Sequence, residues 1–275
     1  MAVSAYDVER LQESYEHSYS RSSRVDWEFH DTTDPLMRYL RDRRLQIAID
    51  HLCRRTGQMP GQWTSLVVCG GVGGEGTYLA NRGFRSVVVS DFSENALQIC
   101  RQRDPRLDTV QLNAEALAVP DNSYDIVLVQ DGLHELRRPV LGLTEMLRVA
   151  RRGVAVIEPH DGVVARLLGT VWERHDDADS AGAAGKAQNY VFRWNARFLR
   201  DVARSYLLDE VAEVDVLRFW DHNVTIRRLA EGVGRGRVGL TAAKATYRAL
   251  DGGLWWMGNA MVGIILKASN ESSET

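Results

Sequence analysis

A glycine-bearing turn, followed one strand later by an acidic residue, constrains this chain more than any other feature. Cys69-Gly70-Gly71-Val72-Gly73-Gly74 follows the apolar run Leu66-Val67-Val68 and precedes a helix-like stretch from Glu75 to Arg82. Gly83 stops that stretch, the apolar run Val87-Val88-Val89 comes next, and Asp91 ends it. A strand, a Gly-rich turn, a helix and a strand ending in Asp make one half of a nucleotide-type site. Glycines let the backbone pass close to a ligand, and a carboxylate can accept from both ribose hydroxyls. The ligand class is an adenosine-containing cofactor, and the turn alone does not say which one.

The rest of the chain continues the alternation. Strand-like runs lie at 65–69, 86–90, 109–113, 125–130 and 154–158, with helix-like segments at 75–82, 94–103 and 140–150 between them. Strands that read as continuous apolar runs, alternating with helices, predict a doubly wound parallel sheet. Upstream, Asp34-Pro35 starts a helix in which Leu45, Ile49 and Leu52 share a face and Gly57 ends the run. Downstream the rhythm changes. Residues 161–173 read as helix and Asp176 to Gly185 as a polar loop, and Asn195 caps a helix at 196–207. Val211 to Phe219 and Ala260 to Leu266 are two last strands, separated by a partly helical insertion at 224–257. The expectation is an α/β, Rossmann-like, mostly parallel sheet of seven strands, divided into a helical lid at 1–60, a cofactor-binding core at 61–160 and substrate-cap insertions with the last strands at 161–275.

Composition narrows the class. At 275 residues, with 44% hydrophobic and 26% charged residues, the chain has the make-up of a soluble globular protein. A formal charge of −3 gives no reason to expect nucleic acid or an anionic membrane as partner. Cys53, Cys69 and Cys100 form neither a metal pattern nor a disulfide framework. The polar N-terminus shows no leader, and the apolar stretch from Leu254 to Leu266 is interrupted and too short to span a bilayer. Together these predict a cytoplasmic protein.

Four blocks in order carry a family resemblance. Leu66 to Gly73 with Tyr78-Leu79-Ala80 is the first, and Val89-Ser90-Asp91-Phe92-Ser93 the second. Asn113 to Leu117 and Val119 to Val127 make the third, and Leu141 to Val149 with Gly153 and Ile157-Glu158-Pro159 the fourth. In these the chain resembles class I S-adenosylmethionine-dependent methyltransferases of the small-molecule, natural-product type. The resemblance implies S-adenosylmethionine as cofactor and S-adenosylhomocysteine as product. It places Cys69, Gly71 and Gly73 against the methionine arm, Asp91 on the ribose, and Phe92, Asn113 and Ala114 around the adenine. The carbonyl near Gln130 would accept from the methionine ammonium. The chain departs from the family at the turn, where Cys69 replaces the first glycine and no acid precedes it as in many members, and at Asn113, which stands where Asp is commoner.

His134 and His160 follow the fourth and fifth strands and are the candidate general bases for a hydroxyl acceptor. Tyr15 and Tyr19, four residues apart, share one helix face and read either as core packing or as a lid. Arg43 or Arg44 is either a solvated helix charge or a partner for the cofactor carboxylate. Trp172, Tyr190, Phe192, Trp194, Trp220, Trp255 and Trp256 read mostly as core, yet a cap this aromatic points to an apolar or aromatic acceptor, with Trp194 as its candidate substrate or lid contact. Glu158, His160 and Asp161 are a weak metal pattern, so no metal is expected. O-, C- and N-methylation stay open, and the acceptor's setting is expected to be secondary metabolism, such as antibiotic biosynthesis. A homodimer is compatible with the exposed N-terminal helix and the insertion. Two alternatives remain: a cofactor-binding protein that transfers no methyl, and a nicotinamide-dependent oxidoreductase.

Overall fold

The computed structural model describes residues 12–13, 16–17, 34–162, 192–221 and 236–268. Helix α1 (Pro35–Thr56) starts where the sequence places it, with the Asp34 carboxylate accepting from the Leu36 and Met37 N–H groups. It ends at Gly57, whose left-handed φ of 67° closes the helix. The core then runs β1 (Thr64–Val68), α2 (Gly74–Asn81), β2 (Ser86–Asp91), α3 (Glu94–Arg103), β3 (Asp108–Gln111), β4 (Tyr124–Gln130), α4 (Pro139–Val149) and β5 (Ala150–Pro159). It closes with α5 (Ala196–Leu207), β6 (Val211–Phe219), α6 (Arg237–Gly253) and β7 (Ala260–Lys267).

These strands form one seven-stranded sheet in the order β3-β2-β1-β4-β5-β7-β6. The first five are parallel, while β7 runs antiparallel between β5 and β6. The mostly parallel Rossmann-like expectation holds. The partly helical insertion at 224–257 contains helix α6 from Arg237 onward. The segments at 163–191 and 222–235, which include the expected helix at 161–173 from its third residue on, the polar loop, Trp172 and Tyr190, lie outside the described residues.

Both sheet faces are buried, which explains the uninterrupted apolar strands. Alternate residues such as Val67, Val89 and Leu128 pack beneath α1, α2 and α3. Their neighbours Val68, Val129 and Val156 pack against α4 and α5. At the opposite end of the sheet from the glycine turn, the buried Asp125 carboxylate accepts from Thr64 N–H and Oγ1, both at 2.9 Å, and faces Arg151. Among the described residues no helix is long and apolar enough to cross a membrane.

The crossover at Gly73 is set by packing. Its φ is 86°, and a Cβ there would stand 2.3 Å from Cys100 Sγ on α3. The glycine thus lets the turn lie flat against α3, in addition to any contact with a ligand. Gly73→Ala is expected to cost about 3 kcal/mol, from left-handed strain added to overlap. Urea denaturation reads the loss, and Cys100→Ala in the same background should recover part of it. A cost below about 1 kcal/mol would refute the packing argument.

Candidate active site

The turn after β1, the end of β2 and the ends of β4 and β5 meet at one edge of the sheet. This is the switch point, where β1 leads outward to β2 on one side and pairs with β4 on the other. Asp91 organises it. Its Oδ2 accepts from Gly71 N–H at 2.8 Å and its Oδ1 from Ser93 N–H at 2.9 Å, and the residue is buried. A carboxylate can accept about four hydrogen bonds, the capacity that a ribose-binding group needs. Cys69 adopts a left-handed φ of 54° and Gly71 one of 49°. The Cys69 backbone therefore takes the glycine-like conformation despite its side chain, at some cost in strain. Burial, then the Asp91 charge, pushes its thiol well above the usual range, so it is no nucleophile at neutral pH.

Phe92, half-buried, and the loop after β3 flank Asp91 where the resemblance expects the adenine. Asn113 Oδ1, expected to meet the adenine amino group, accepts from Glu115 N–H at 2.9 Å in a local turn. One lone pair of that oxygen is thus committed to shaping the loop, which leaves the other for a ligand. Ala114 beside it is buried. Glu16, from the N-terminal helical segment, accepts from Ser93 Oγ at 2.7 Å, Glu94 N–H at 2.8 Å and Asn95 N–H at 3.0 Å. Glu16 is thereby held at the start of α3, next to Asp91. Tyr15 and Tyr19 themselves lie outside the described residues.

Beyond β4 the site is strongly charged. Gln130 Nε2 donates to Glu75 Oε1 at 3.0 Å, and both residues are buried. Asp131, with a φ of 53°, pairs with Arg44, which also pairs with Asp221. Burial opposes the Arg44 charge, but the two carboxylates outweigh it and raise its pKa. Arg43 turns elsewhere: it pairs with Asp251, donates to the Trp220 carbonyl at 2.7 Å and lies 5.4 Å from the Phe219 ring centre. Neither arginine is a solvated helix charge.

His134 and His160 have opposite electrostatics. His134 Nδ1 lies 2.5 Å from Glu158 Oε2, and Glu158 Oε1 accepts from Leu133 N–H at 2.8 Å. Burial opposes charge on the imidazole, but Glu158 wins and pushes its pKa up to about 10. His160 is held neutral instead: burial, then Arg218, lowers its pKa to about 4. Its ring bonds to the Gly258 carbonyl, and its buried Nδ1 has no hydrogen-bond partner. Asp131, His134 and Glu158 bring ligand-type atoms within 4.8 Å of one another, although the His134–Glu158 hydrogen bond and the Arg44 pair already engage them. Trp194, read as a substrate contact, is 0% exposed. It packs edge-on to Phe192 with ring centres 5.0 Å apart and bridges to His160 through its backbone, so its ring is part of the core.

Sequence reasoning missed Glu75, Glu16 and the Glu158 partnership with His134. Glu75 had a visible signal, an acid directly after the glycines on a short helix of small residues. Glu158 ends an apolar strand and entered only as part of a weak metal pattern.

Comparison with known proteins agrees with this geometry. Residues 66–157 match the family described as methyltransferase domain. The demethylmenaquinone methyltransferase of Renibacterium salmoninarum is 38% identical over 97 residues, which is 35% of this chain and 40% of that enzyme. A ubiquinone/menaquinone biosynthesis C-methyltransferase of Stenotrophomonas maltophilia is 42% identical over 74 residues, 25% of this chain and 29% of that protein. The matched region thus spans two fifths or less of the length of these curated relatives. In fold, the chain is similar to magnesium protoporphyrin IX methyltransferase from Synechocystis with bound S-adenosylhomocysteine, at a TM-score of 0.56 and 11% identity over 94% of this chain and 100% of that one.

The charge states can be checked by titration. The folded protein holds the His134 proton more tightly than an unfolded chain does. While Glu158, whose own pKa burial raises, stays ionised, the pair's stabilisation is therefore complete below about pH 6.5 and declines as pH rises toward about 10. By NMR, His134 is expected to remain an imidazolium at pH 8. In Glu158→Gln, where burial acts unopposed by that carboxylate, its midpoint should fall to the ordinary histidine value or lower. A neutral His134 at pH 8 in the wild type would contradict the pairing.

Proposed function

From the premise that residues 66–157 form a class I S-adenosylmethionine-dependent methyltransferase domain, we propose that this protein transfers the cofactor's methyl group to a small acceptor with an apolar or aromatic ring. The observation that carries the reading is the buried Asp91 clasp on the glycine turn, with buried Glu75 in the first turn of the following helix. A dinucleotide would bring its pyrophosphate to that helix start. Glu75 would repel it, whereas the same carboxylate favours the positively charged methionine arm. That difference in sign counts against the oxidoreductase alternative.

The residues present fit the cofactor. Asp91 would hold the ribose, Phe92 and the 113–114 loop the adenine, and the backbone of the 69–73 turn the methionine arm. S-adenosylmethionine supplies an electrophilic methyl on a sulfonium, so the protein's task is alignment and exclusion of water. His134 would take part as a proton-bearing group. With Nδ1 committed to Glu158, Nε2–H is the donor left to an acceptor oxygen, and it favours the anionic form of a hydroxylated ring. Oxygen-centred charge activates either that oxygen or the adjacent ring carbon toward the methyl. His160 is too weak a base to serve in its place, because it binds a proton only near pH 4. The relatives named for methylating demethylmenaquinone and for C-methylation support a quinone-type ring as acceptor and carbon as the methylated atom. Action within secondary metabolism, in the cytoplasm, completes the proposal.

Calorimetry tests the cofactor half. Asp91→Ala is expected to weaken S-adenosylhomocysteine binding by about tenfold or more, given the strength of hydrogen bonds to a charged group. NADH should bind neither form. Incubating the wild type with S-adenosylmethionine and a reduced naphthoquinone, followed by mass spectrometry, tests the acceptor half, with one added methyl expected on carbon. Binding of NADH in preference to both sulfur ligands would overturn the reading.

A further inference from the structure

Glu75 and Gln130 form a buried polar pair whose unused atoms all accept hydrogen bonds. Glu75 is 5% exposed and Gln130 8% exposed, one in the first turn of α2 and the other the last residue of β4. Gln130 Nε2 donates to Glu75 Oε1 at 3.0 Å. That contact fixes the orientation of the amide, since turning it over would set its oxygen against a carboxylate. Gln130 Oε1 is left buried with no hydrogen-bond partner. An amide oxygen and a carboxylate can accept but not donate, so what they lack is a donor, and the carboxylate favours one that is positively charged.

The pair's position narrows the donor. Val68 pairs with Val129, so the turn after β1 and the end of β4 are neighbours, and Glu75 and Gln130 join them across the switch point. Ahead of the turn the chain has Val67 and Val68 and no acid, so a carboxylate near the methionine arm must come from elsewhere. Arg44, the guanidinium on the Asp131 side, is already spanned by Asp131 and Asp221. We propose that Glu75 and Gln130 are the receptor for the α-ammonium of the cofactor's methionine arm. Gln130 Oε1 accepts an ammonium N–H, and Glu75 supplies the opposing charge that the residues before the turn do not. This assignment rests on the cofactor reading above and replaces the Gln130 main-chain carbonyl with its side chain as the contact.

Calorimetry with three ligands separates the two. S-adenosylhomocysteine carries amine and carboxylate, S-adenosyl-3-thiopropylamine carries the amine alone, and 5′-methylthioadenosine carries neither. Glu75→Gln is expected to weaken the first two by about tenfold, as loss of a charge-assisted contact would, while leaving 5′-methylthioadenosine within about twofold. Gln130→Met should show the same selectivity, and it serves as the reading if Glu75→Gln loses both its thermal transition and 5′-methylthioadenosine binding. Equal weakening of all three ligands by a folded variant, or no weakening of the amine-bearing ones, would overturn the assignment and leave the cofactor reading intact. Failure of the wild type to bind any of the three would instead overturn the cofactor reading itself.

Discussion

The site depends on one buried carboxylate. Asp91 ends β2 and reaches across to Gly71 and to Ser93, so a single side chain ties the turn after β1 to the turn after β2. Without that bridge the left-handed conformations at Cys69, Gly71 and Gly73 would have little to hold them, since such backbone is sustained only by its surroundings. The same turn lies against α3 because Gly73 leaves room for Cys100. Strand register and turn shape are therefore a single construction, in which the carboxylate proposed to bind the ribose also holds the walls.

Charge around this construction is arranged in pairs. Glu75 meets Gln130, Arg44 meets Asp131 and Asp221, and His134 meets Glu158. Most of these groups are buried, and an ion removed from water needs such a partner to persist. The acids outnumber the bases near the end of β4, which suits a cationic cofactor and disfavours a phosphate-bearing one. His134, kept protonated within this acidic surround, differs from a simple base, and the proposed role for it is as a hydrogen-bond donor to an anionic acceptor oxygen. His160, one strand over, is held in the opposite state by burial and Arg218.

Much of this was legible in the sequence, for identifiable reasons. The helix from Glu94 to Arg103 and the strand from Val211 to Phe219 lie where their patterns place them, because caps and apolar runs mark their ends. Asp91 could be singled out because strand end and turn chemistry coincide there. The pairings could not. Nothing in the local sequence of Glu158 says that its partner is His134, 24 positions earlier, because that contact exists only once β4 and β5 lie side by side. Trp194 looked like a ligand contact because aromatic residues read alike in a core and in a pocket, and only packing distinguishes them. Asn113, which the apolar pattern placed at the end of a strand and the resemblance in a loop, lies beyond β3, and its oxygen serves the backbone of that loop.

A crystal structure with S-adenosylhomocysteine tests the central claim most directly. The account predicts the ribose hydroxyls on Asp91, the adenine beside Phe92 and Asn113, and the sulfur between the glycine turn and His134. Ligand density elsewhere, with Asp91 contacting only Gly71 and Ser93, would contradict it.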